Sequence, residues 1–96
     1  MQNTDKTTAT RLIKAILQRG YTITVDDGEE ETLLNSSNFT DIMDALGTTD
    51  ADTVYVDDTF NRQVAVFFLV YGNDKDELIN DLSDNPIANE IYEETK

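Results

Sequence analysis

Val64 to Tyr71 reads VAVFFLVY, eight residues without a polar interruption, and no other stretch restricts the fold as much. A β-branched and aromatic run of this length predicts a strand buried on both faces. Gly72-Asn73-Asp74 stops it. In the segment that follows, DELINDLS, Leu78, Ile79 and Leu82 fall at helical spacing. Asp74, Glu77, Asp81 and Asp84 recur at i, i+3, i+7 and i+10 on another side. The pattern predicts that a core strand hands the chain to a helix whose outer face is a row of carboxylates.

The chain before this point supplies the rest of a small sheet. Ala9, Leu12, Ile13, Ile16 and Leu17 mark an amphipathic helix over about residues 5 to 19, with Thr4 or Asp5 placed to cap it and Gly20 to end it. Its outer face carries Arg11, Lys14 and Gln18, a basic stripe expected to pair with acids of the same domain. Tyr21 to Val25 alternates, aiming Tyr21, Ile23 and Val25 at the core. Asp26-Asp27-Gly28 is a hairpin turn signal. Glu29, Glu30 and Glu31 then open a second strand reaching Leu33 and Leu34, and on an edge those charges discourage unwanted pairing.

Ser36-Ser37-Asn38 precedes a short helix carrying Phe39, Ile42, Met43 and Leu46 and stopped by Gly47. A third strand at 53 to 56, a turn at 57 to 61 and the long apolar strand form a second hairpin. Pro86 suits the first position of a final helix. The order α-β-β-α-β-β-α-α predicts one α+β domain over residues 1–96, a four-stranded antiparallel sheet of two hairpins with helices on one face.

Charge narrows the possible partners. Lys6, Arg11, Lys14 and Arg19 face only Asp5 in the first nineteen residues, whereas the remainder holds Arg62, Lys75 and Lys96 against all the other acids, for a net charge of −13. Such a surface repels nucleic acid and anionic membrane and attracts basic grooves through salt-sensitive steering. Solubility and adaptation to a salty cytoplasm are the plainer explanations. Four Lys against three Arg, and eight Asn, speak against the salt explanation. With no Cys and no His, the disulfide frameworks, the usual zinc sites and the usual neutral-pH base are excluded. The polar start MQNTDKTTAT and the short apolar runs predict a cytoplasmic chain without a membrane span.

Motifs for chemistry do not hold up. Tyr55-Val56-Asp57-Asp58 matches the Tyr-x-Asp-Asp signature of reverse transcriptases, but that chemistry needs a third carboxylate and a template channel that 96 residues cannot provide. Asp74-x-Asp76 opens like a calcium loop and fails at Leu78 and Ile79, and Asp50-x-Asp52 fails at Val54. The acids are expected in turns and on solvent faces, where nothing raises a carboxylate pKa for acid-base work. No enzyme, cofactor or metal is expected.

One block carries a likeness. Phe68 to Asn85, FLVYGNDKDELINDLSDN, resembles the C-terminal segment of small phage and mobile-element proteins through Tyr71, Gly72, Asn73, Asp74, Asp81, Ser83, Asp84 and Asn85. Thr48 to Tyr55 is similar more loosely. The resemblance implies a mobile-element origin, a class that includes anti-restriction and anti-CRISPR proteins acting as DNA mimics.

The expected working surface is then a set of carboxylates placed to imitate phosphates. It comprises Asp74, Asp76, Glu77, Asp81 and Asp84 on the acidic helix, Asp26, Asp27, Glu29, Glu30 and Glu31 in the first turn, and Asp57 and Asp58 in the second. The expected partner is a basic, nucleic-acid-binding host protein or complex, approached by a monomer or homodimer that binds no nucleic acid itself. The alternative is a structural or regulatory binding module whose acidity only solvates it.

Overall fold

A computed structural model describes residues 3–72 and 78–95. The elements run α1 (Asn3–Gln18), β1 (Thr22–Asp26), β2 (Glu31–Ser36), α2 (Phe39–Ala45), β3 (Ala51–Asp57), β4 (Gln63–Val70), β5 (Ile79–Leu82) and α3 (Pro86–Glu94). The five strands form one antiparallel sheet in the order β2-β1-β3-β4-β5. The α+β class and both hairpins are as expected, but the sheet has five strands, not four.

The extra strand replaces part of the expected acidic helix. β5 occupies Ile79–Leu82 and lies along β4. Its register explains why the sequence looked helical. Ile79 pairs with Leu69 and Leu82 with Phe67, while a bulge between them absorbs one residue. That bulge lets two residues three apart face the same core, a spacing otherwise typical of a helix. Without β5 the long apolar β4 would end the sheet with a row of unpaired backbone groups. The pairing continues beyond the strand ends, where the Val70 amide donates to the Leu78 carbonyl and the Ser83 amide to that of Val66, both at 2.9 Å.

All three helices cover one face. α1 packs against both α2 and α3, with α2 over β1 and β2 and α3 over β4. Beneath them lie Ile23, Val25, Val54, Val56, Phe67 and Leu69, each fully buried. The opposite sheet face has no helix among the described residues, so β4 is not sealed on both sides. Ala65, Phe67 and Leu69 are buried, whereas Val64, Val66 and Val70 are half-buried and Phe68 keeps 37% of its surface exposed.

Local signals account for most boundaries. Asn38 caps α2, its side chain accepting from the Asp41 amide at 3.0 Å, and Pro86 opens α3. α1 starts at Asn3, before the expected cap, which frees Asp5 for another role. Among the described residues no helix is long and apolar enough to cross a membrane.

Candidate functional site

The open sheet face gathers acids that are far apart in sequence. In antiparallel pairing, residues directly opposite one another point to the same side. Glu31 lies opposite Asp26, Asp26 opposite Thr53, Thr53 opposite Phe68, and Phe68 opposite Asp81. This row crosses all five strands, about 19 Å at the usual strand spacing, with carboxylates at its ends and an exposed aromatic ring near its middle. The next row along the face is Thr24, Tyr55 and Val66, and beyond it Thr22 lies opposite Asp57. No Lys or Arg occupies a described position on this face.

The expected acids therefore divide into groups. Asp26, Glu31, Asp57 and Asp81 share the open face. Glu29 and Glu30 are exposed in the turn between β1 and β2. Asp84 is exposed in the bend after β5, off any helix, so the predicted helical row does not exist from Ile79 onward. Asp74, Asp76 and Glu77 lie outside the described residues. The two acidic turns do not meet: Asp26 is opposite Thr53 while Thr22 is opposite Asp57, which places them at opposite ends of the sheet.

Two of these acids build their own turns. Asp27 Oδ1 accepts from the amides of Glu29 and Glu30 at 2.9 and 3.0 Å, and the bonds from Glu30 and then Glu29 hold its pKa below the ordinary aspartate value. Asp58 Oδ1 accepts from the amides of Phe60 and Arg62, and its Oδ2 takes the Arg62 guanidinium at 3.0 Å. The Arg62 amide leads the causes that lower its pKa as well. Arg62 in turn lies over the ring of Phe60, 5.1 Å from its centre.

The cations sit elsewhere. Lys6, Arg11 and Lys14 are exposed on α1, and Lys14 stands 5.7 Å from the Phe39 ring. Arg19 bridges to Glu90 and Glu94 of α3 at 3.6 and 3.2 Å. Among the described residues Arg11 and Lys14 make no ion pair, contrary to the expected pairing of that stripe; Arg19, just past the end of α1, makes the bridge to α3 instead.

A second polar cluster contradicts the expectation that every acid lies in a turn or on a solvent face. Asp52 keeps 1% exposure and Asp5 none. Asp52 Oδ2 accepts from the Tyr71 hydroxyl at 2.5 Å and from the Gly47 amide at 2.9 Å. Burial first, and then the Asp52 carboxylate, push the Tyr71 pKa far above the usual tyrosine value. Asp5 Oδ2 accepts from the amide of Gly72 at 3.1 Å, tying the first turn of α1 to the end of β4. Gly72 has φ +83°, a left-handed conformation that favours glycine.

Four of the eight residues that carried the phage likeness make such bonds. Tyr71 and Gly72 belong to the buried cluster. Ser83 Oγ accepts from the Val66 amide at 3.1 Å, and Asn85 donates its side-chain amide to the Val64 carbonyl at 2.6 Å. These four stitch the ends of β4 and β5 in place.

Among the described residues no group of three or more acids is placed to hold a metal ion. Asp5 and Asp52 lack a neighbouring nucleophile of the Cys or His type, since the chain has neither. The open face presents carboxylates around an apolar and hydroxyl-bearing centre. Comparison of the chain with known protein families, with curated proteins and with solved structures gives no match.

Proposed function

We propose that this chain is an acidic interaction protein that occupies the basic, nucleic-acid-binding groove of a partner protein and so competes with its substrate. The observation that carries this reading is the open sheet face, where Asp26, Glu31, Asp57 and Asp81 lie on one side, spread around its edges, with no cation at a described position between them. A net charge of −13 adds long-range attraction toward a basic groove. The resemblance of the Phe68–Asn85 block to mobile-element proteins supports only such an origin; within that class, a host defence nucleoprotein complex of the CRISPR or restriction type is the target we propose.

The test is displacement of a labelled DNA duplex from purified restriction and CRISPR effector complexes, followed by fluorescence polarisation. Release of the duplex should steepen as salt is lowered and weaken when Glu31 and Asp81 are changed to Lys. Duplex binding unchanged by excess protein at low salt, across both classes of complex, would overturn the proposal.

A further inference from the structure

We propose that the open sheet face docks one kind of element, an amphipathic basic helix of the partner, laid along β4. This deepens the competitive reading above and rests on it. Charge by itself does not require an apolar centre, yet this face has one: Val64, Val66, Phe68 and Val70 alternate toward it along β4, and Tyr55 adds a ring from β3.

The dimensions and the charges select the occupant. Val64 to Val70 spans six residue steps, about 20 Å, which a helix of about 13 residues would follow. Asp81 stands one strand to one side of the strip, and Asp26 stands two strands to the other. Those flanks are about 14 Å apart, a little more than the 10–12 Å breadth of a helix with its side chains. A helix seated on β4 would press its apolar stripe onto Phe68 and Val66 while Lys or Arg on its two sides reached Asp26 and Asp81. Nucleic acid and anionic membrane are repelled by the same carboxylates. A second copy of this chain, also at −13, is repelled too, and the apolar stripe of its one long helix is already spent, with Leu12, Ile13 and Ile16 fully buried.

The probe is a synthetic helical peptide of about 14 residues, with Leu at i, i+3, i+4 and i+7 and Lys or Arg flanking the stripe. Its control has the same composition with the Leu residues dispersed. The striped peptide should bind about tenfold more tightly than the control, the effect of burying part of one large apolar side chain. Phe68→Ser should abolish that difference, leaving the control's affinity in place and the protein folded, with a cooperative unfolding transition. Val66→Thr provides a second, smaller loss at the same strip. Equal binding of both peptides, unaffected by Phe68→Ser, overturns the docking inference while the charge-based reading stands. If neither peptide binds at low salt, both fall. Concentration-dependent self-association that Phe68→Ser removes would also overturn it, by making a second copy the occupant.

Discussion

Phe67 and Phe68 are neighbours in sequence and opposites in environment. Phe67 is fully enclosed beneath the helical layer, while Phe68 is 37% exposed among carboxylates on the other side of the same strand. The same contrast holds across the whole sheet. Among the described residues its covered face is mostly apolar, with Asp52 bonded there to Tyr71 and Gly47, and its open face mixes apolar, hydroxyl and acidic side chains. A strand that is apolar on both sides would ordinarily be buried on both. Here one side is enclosed by the helices, and the other is left open to solvent.

The largest effect should come from confusing the two sides. Phe67→Ala should cost about 3–5 kcal/mol, a loss readable in the midpoint of urea unfolding, whereas Phe68→Ser should cost less than about 1 kcal/mol. Comparable losses at the two positions would remove the distinction between the faces.

Next in size is the buried polar cluster. Tyr71→Phe takes away a donor to the enclosed Asp52 carboxylate and should destabilise the fold by about 1–3 kcal/mol. The same bond makes a prediction in alkali. Because the folded pKa of Tyr71 is raised, its contribution is complete below the unfolded value, near 10, and declines as pH rises beyond it, when only the unfolded chain releases the proton. Before unfolding begins, phenolate absorbance of the wild type and of Tyr71→Phe should superimpose through that range. An extra ionising tyrosine in the wild type would contradict the assignment.

A smaller loss, about 1 kcal/mol, is expected for Asn38→Ala, which removes the cap of α2. The two acidic turns respond to acid. Their carboxylates are held below the ordinary aspartate pKa, so the stability they contribute is complete above about pH 4 and disappears as pH falls through the lowered folded values. Asp27→Asn and Asp58→Asn should flatten that acid limb. Acid sensitivity unaltered in the double variant would mean that other groups control it.

Much of the covered face was legible in the chain. The stripe of α1, the alternation of β1, the Asn38 cap and Pro86 at the head of α3 are local signals with local causes, and the elements formed where those signals lay. β5 was not legible, because a bulged edge strand and a helix both put Ile79 and Leu82 on one side, and the choice between them depends on β4 needing a neighbour. Sharing of a face by acids was likewise invisible, since it depends on register: Asp81 meets Phe68, and Phe68 meets Thr53, only through pairings between distant segments. Asp52 is different. Its position has the parity of Val54 and Val56 along β3, so extending the alternation back two residues would have placed it under the helices. Tyr71 follows from Phe67 and Leu69 in the same way.

The most direct measurement is an amide chemical-shift map of the isotopically labelled protein titrated with the striped basic peptide. The account predicts that the largest shifts fall on Thr53, Tyr55, Val66, Phe68 and Asp81, with α1 and α3 nearly unmoved. Shifts concentrated on the Asp26–Glu30 turn or along α3, with the β4 strip silent, would contradict it.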